Sequence, residues 1–102
     1  MITVEELRSF LNYPELPDNV GQSAISMAVN RVKKLLKVDT LTETEEIKKA
    51  VLLFASVEIA SRTNLYWRKE NYEVINVKML VAEAERILNL IPNRVGVAWK
   101  SN

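Results

Sequence analysis

The sequence contains neither cysteine nor histidine. Without cysteine the chain has no disulfide, no thiolate nucleophile and no cysteine-based zinc site, which fits a reducing compartment. Without histidine it lacks the commonest general base and the commonest metal ligand. Ser-His-Asp, Cys-His and Glu-x-x-His sites are therefore excluded. We expect a binding or structural protein rather than an enzyme, with no cofactor and no metal.

Glycine and proline are also scarce, with 2 and 3 among 102 residues. An all-β fold needs a turn about every 8–12 residues, and such turns are usually built with glycine, proline, asparagine or aspartate. The length fits one compact domain, and 48% apolar with 26% charged residues is an ordinary globular balance. The sequence therefore predicts an all-α fold, a small bundle of about four helices over residues 1–92, followed by an extended tail over residues 93–102.

Neither the charge nor the apolar runs indicate a nucleic-acid-binding or membrane protein. The chain has 14 Lys+Arg against 13 Asp+Glu, a formal net charge of +1. The longest apolar stretch, residues 50–60, is interrupted by Ser56 and Glu58 and is shorter than the ~20 residues that cross a bilayer. Glu5 and Glu6 stand where a secretory signal would be basic and then apolar. We expect a soluble protein, or one that reaches its site by assembly.

The first helix is predicted over residues 4–11. Thr3 and Glu6 have the spacing of a capping box, in which each side chain bonds the backbone N–H of the other residue. Leu7, Phe10 and Leu11 are expected to form its apolar face. Two prolines between residues 12 and 19 interrupt the helical pattern and predict a loop.

Three longer helices are predicted after this loop. The second begins at Asp18 or Asn19, either of which is a suitable N-cap residue, and runs to about residue 37. The third begins at one of two overlapping Thr-x-x-Glu boxes, of which we favour the one at residues 42–45, and ends at residue 62 or 64. Because it is apolar around nearly its whole circumference, it is either the central helix or presents a second face to a neighbouring subunit. The fourth spans roughly residues 74–90 and stops before Pro92.

Basic residues crowd the last turns of the second helix: Arg31, Lys33, Lys34 and Lys37. They complement the negative end of the helix dipole. They are also compatible with contact to a phosphate backbone, although the acidic residues that follow would weaken the local field. We favour solvated lysines at a helix end.

Glu58 lies within the most apolar stretch, with Arg62 four residues later. A buried carboxylate is suited to acid–base chemistry, whereas an i,i+4 ion pair at the edge of a bundle needs no catalytic purpose. Because no second catalytic partner is evident, we favour the ion pair.

Two aromatic segments are candidate partner-binding sites. Tyr66 and Trp67 precede two basic residues, and we rank intramolecular packing first, protein contact second and nucleic-acid stacking third. In the tail, apolar residues alternate as in an extended segment, and two interpretations stay open: docking on a partner and folding back on the bundle. The candidate tail residues are Val95, Val97, Trp99 and Lys100.

Several segments together carry a family resemblance. They are ITVEELRSFL at residues 2–11, the loop with proline and aspartate after it, the small and aliphatic residues of 25–36, IKKAVLLFA at 47–55 and ILNLIP at 87–92. In these segments, and in the order of short, long, apolar and final helix, the chain resembles the head-to-tail connector (head-completion or adaptor) proteins of long-tailed double-stranded DNA bacteriophages and prophages. Many relatives have an aromatic residue and an arginine near the end of the third helix, where this chain has Ile59 and Arg62.

The resemblance implies a viral structural protein without enzymatic activity. Such a protein, made in the host cytoplasm, forms a homo-oligomeric ring beneath the portal at the head–tail interface of the virion, extends the DNA channel and provides the tail attachment site. Its partners would be its own copies, the portal protein, the next head-completion or tail-completion protein, and DNA passing without sequence-specific recognition. The basic cluster would then face the channel. The alternatives are a small helical regulator that binds DNA or protein, and a small helical enzyme acting on an anionic substrate.

Overall fold

Four helices make up the fold in the computed structural model, which describes residues 2–63 and 77–90, with the side chains of 2–60 and 77–90. They are α1 (Val4–Leu11), α2 (Asp18–Leu36), α3 (Glu45–Thr63) and α4 (Val77–Asn89). No strand occurs among these residues. The predicted all-α bundle is therefore confirmed. The predicted tail lies outside the described residues.

The start of α1 has the predicted capping box. The Glu6 backbone N–H donates to Thr3 Oγ1 at 3.1 Å, and the Thr3 N–H donates to Glu6 Oε1 at 2.8 Å. The predicted apolar face is wrong at Phe10, which is 40% exposed. Val4, Leu7 and Leu11 instead form the buried stripe, at i, i+3 and i+7, and Phe10 lies at its edge.

The start of α2 differs from the prediction in its cap. Pro17 is the N-cap residue, and no side chain bonds the first backbone N–H groups. Asp18, the first helical residue, instead accepts a hydrogen bond from Arg8 at 2.6 Å. The side of α2 that faces the core consists mostly of small residues: Gly21, Ala24, Ala28 and Val32.

The start of α3 corrects the prediction of a capping box. Thr44 Oγ1 accepts from the backbone N–H of Ile47 at 3.2 Å, so Thr44 caps the helix. The third helical residue is then Ile47, whose side chain has no group to return the bond. Neither box is therefore used, and α3 begins at Glu45.

The bundle is organised around α3, as one of the two predictions for this helix required. It packs against α2 and α4 along much of its length and against α1 over a smaller area. Its buried residues surround the helix axis: Ile47, Ala50, Val51, Leu53, Phe54, Ala55, Ser56, Val57, Ile59 and Ala60. The buried hydroxyl of Ser56 donates to the Leu52 carbonyl at 2.8 Å, which satisfies it within the helix.

α4 covers another side of α3. Its inner face buries Ala84, Ile87 and Leu88, and the residues predicted to face outward are exposed: Lys78, Glu85 and Asn89. Residues 74–76 of the predicted helix lie outside the described part of the chain.

Candidate interaction surfaces

The structure divides the predicted basic cluster into two parts. The Arg31 guanidinium lies over the Phe54 ring of α3, 4.3 Å from its centroid. Lys33, Lys34 and Lys37 line a shallow, open depression together with other residues near the end of α2. Because successive helical residues are turned by about 100°, Arg31 is directed towards α3, Lys33 and Lys37 share an outer face, and Lys34 lies between the two.

The contact between Arg31 and Phe54 is a cation–π interaction between α2 and α3. Phe54 is only 1% exposed, and the half-buried Arg31 covers one face of its ring. The sequence analysis grouped Arg31 with the lysines because the four residues lie close together along the chain. The aromatic partner lies on another helix, so no local pattern could have indicated it.

The three lysines form a weak electrostatic surface. Asp39 and the C-terminal carbonyl groups of α2 lie beside them and reduce the positive potential. Lys37 is the C-cap residue, with a left-handed backbone (φ 59°, ψ 48°). Its backbone N–H caps the end of the helix by donating to the Lys33 and Lys34 carbonyls. This arrangement agrees with the preferred interpretation of lysines at a helix end.

Arg8 is a structural residue that the sequence analysis missed. Its Nε and Nη2 donate to the Leu16 carbonyl at 3.0 and 2.7 Å, Nη2 also donates to Asp18, and Nη1 donates to Glu5 at 2.6 Å. The hydrogen bond to Asp18 raises the pKa of Arg8 above its ordinary value, although burial acts against this. Arg8 thereby ties residues 12–17, which link α1 to α2, against the end of α1.

A second surface lies between α1 and α3. Phe10 and half-buried Leu52 supply its apolar part, and Glu5, Glu6 and Ser9 line the rest of a shallow, open depression. The Glu5 side chain is 80% exposed, and its second carboxylate oxygen is the one that accepts from Arg8. This surface combines an exposed aromatic ring with negative charge.

The remaining predicted sites are only partly within the described chain. Glu58 is half-buried, but the side chain of Arg62 lies outside the described residues, so their predicted ion pair does too. All six partner-binding candidates also lie outside the described residues: Tyr66, Trp67, Val95, Val97, Trp99 and Lys100. The described residues contain no group of three or more acidic side chains arranged to hold a metal ion, and no helix among them has the length and hydropathy to cross a membrane.

Comparison of the chain with protein-family models, with curated proteins and with solved structures found no match. The fold is therefore described from this structure alone, and the resemblance to connector proteins stays a prediction from the sequence.

Proposed function

We propose that this chain is a non-enzymatic head-to-tail connector of a long-tailed bacteriophage or prophage. In this role it assembles into a ring with its own copies beneath the portal, extends the DNA channel and receives the next head-completion or tail-completion protein. Its work is adhesive and mechanical, and it takes place at the head–tail interface of the virion.

The order of the helices is the observation that supports the proposal most. A short α1, a long α2, an apolar central α3 and a final α4 follow one another in the order on which the sequence resemblance rests. The outer surfaces of α1 and α2 also carry large apolar side chains beside charged ones, with Phe10 40% and Met27 47% exposed. Such mixed surfaces suit protein contacts, since interfaces combine apolar anchors with a polar rim.

The assembly state of the purified chain tests the proposal. Light scattering over a wide concentration range should show oligomers that grow with concentration, and electron microscopy of the concentrated protein should show rings. A gene position directly after portal, protease and capsid genes would agree with the role. A chain that stays monomeric at every concentration, encoded away from such genes, would contradict it.

A small helical regulator that binds DNA is the second candidate, and the depression lined by Lys33, Lys34 and Lys37 favours it. A triple Lys→Gln variant at these positions should then weaken binding to duplex DNA and lower its salt dependence. The matched control neutralises lysines on other surfaces: Lys48, Lys49 and Lys78. Equal loss in both variants would indicate a nonspecific charge effect and remove the support for this candidate.

A further inference from the structure

Two surfaces of the bundle have opposite charge. The acidic patch consists of Glu5, Glu6, Ser9, Phe10 and Leu52, between α1 and α3. The basic patch consists of Met27, Arg31 and Lys34, which lie on one side of α2 because they are spaced by four and three residues. Each patch therefore pairs charges of one sign with a large, partly exposed apolar side chain.

The two patches lie on nearly opposite sides of α3. Leu52 belongs to the acidic patch, and the neighbouring Phe54 lies under Arg31 of the basic patch. Two residues along a helix correspond to a rotation of about 200°, so these side chains leave the helix axis about 160° apart. One copy can therefore present each patch to a different neighbour.

The charges in both patches remain available for a contact between molecules. Glu6 uses Oε1 for its bond from the Thr3 N–H, and Glu5 uses Oε2 for Arg8, so each carboxylate keeps a second oxygen. Within residues 2–63 and 77–90, neither Arg31 nor Lys34 has a carboxylate at ion-pair distance. The Arg31 guanidinium is held in place by its stack on Phe54, which reduces the entropy lost when it binds a carboxylate.

We propose that the acidic patch of one copy binds the basic patch of the next. Phe10 then packs near Met27, and the carboxylates of Glu5 and Glu6 meet the cations of Arg31 and Lys34. Because the two patches differ, the contact is heterologous, and its repetition produces a closed ring or an open filament. This inference rests on the proposed connector function and names the surfaces through which its copies would meet.

The test uses one variant for each patch and then mixes them. Ser9→Lys/Phe10→Lys cancels the negative charge of the acidic patch, removes its exposed aromatic ring and replaces neither residue of the capping box. Met27→Glu/Lys34→Glu makes the basic patch net negative and removes its exposed apolar side chain without replacing Arg31 or Phe54. Circular dichroism and thermal unfolding establish that each variant is folded.

Matched controls carry the same net charge change at exposed positions outside both patches. Gln22→Lys/Ala82→Lys is the control for the acidic patch, and Gln22→Glu/Lys78→Glu is the control for the basic patch. These controls separate a specific contact from the general effect of net charge on association.

Sedimentation velocity should show that each patch variant loses at least about tenfold in its self-association constant, because each removes the charge complementarity and the exposed apolar side chain of one patch. An equimolar mixture of the two variants should associate more strongly than either variant alone, because it contains one intact pair of patches and the introduced lysines of one variant complement the introduced glutamates of the other. The association of the wild-type chain should weaken with added salt.

The outcomes distinguish this inference from the proposed function. If the wild-type chain associates and both patch variants associate equally well, this inference is wrong while the connector function stands. If only the acidic-patch variant loses association, that patch binds another occupant, such as residues 93–102, and the inference is again wrong. A wild-type chain that is monomeric throughout would overturn both.

Discussion

Replacement of Gly21 by alanine tests how closely α1 and α2 approach. A Cβ at this position would lie 2.9 Å from Val4 Cγ1, 3.2 Å from Val4 Cγ2 and 3.4 Å from Leu16 Cδ2. The first two distances are shorter than ordinary carbon–carbon contacts of about 3.5–4.0 Å. Val4 cannot easily rotate away, since a β-branched side chain in a helix has one strongly preferred rotamer.

Two effects of opposite sign determine the result of Gly21→Ala. Alanine is favoured over glycine inside a helix by about 1 kcal/mol. Overpacking of a well-filled site costs about 1–3 kcal/mol. Because the clash involves a stiff side chain at the start of another helix, we expect the overpacking to exceed the gain, with a net loss of about 1 kcal/mol in the free energy of unfolding.

Urea unfolding followed by circular dichroism measures this loss, and a double-mutant cycle with Val4→Ala shows its cause. Val4→Ala removes both Cγ atoms that the new methyl group would meet. In that background Gly21→Ala should instead stabilise the protein, by up to about 1 kcal/mol of helix propensity. Stabilisation by Gly21→Ala in the wild-type background, or the same effect in both backgrounds, would refute the close approach of α1 and α2.

Three further predictions concern helix ends and one ion pair. Thr44→Ala should lower the free energy of unfolding by about 1 kcal/mol because it removes the cap of α3, while Thr42→Ala should change it little; equal effects in urea titrations would contradict the assigned start of α3. Lys37→Gly should stabilise the protein by about 0.5–1 kcal/mol because glycine adopts the left-handed backbone without a steric penalty, and a lower Tm would argue against that conformation. Hydrogen bonds from Arg86 hold the pKa of Glu83 below its ordinary value, so the stability from this pair is complete above about pH 5 and is lost as the pH falls through the lowered pKa. Glu83→Gln should therefore flatten the acid limb of the stability profile, and an unchanged limb would show that the pair contributes nothing.

The helices were predictable where short-range chemistry decides them. The capping box of Thr3 and Glu6 involves residues three apart, so it could be recognised from the sequence and is found in the structure. At the start of α3 several threonines and glutamates offered competing caps, and Thr44 is the one that bonds a backbone N–H of the helix. Local pattern predicted the helix there but not its first residue.

The candidate surfaces were less predictable because they combine residues from different helices. Phe10 was expected on the apolar face of α1 with Leu7 and Leu11, yet the rotation of α1 on the bundle leaves it beside Leu52 on the surface. Arg31 was expected among lysines, yet it stacks on Phe54 of α3. Both outcomes depend on the rotation of one helix against another, which adjacent positions in the sequence do not specify.

The sequence by itself determined that this protein is an all-α bundle with an apolar central helix. It did so because the near-absence of glycine and proline leaves long helical segments unbroken, and because hydrophobic periodicity follows the geometry of a single helix. Only the tertiary structure decided which charged and aromatic side chains share a surface. Helix packing sets those neighbours through side chains distant in sequence, as in the placement of acidic and basic patches on nearly opposite sides of α3.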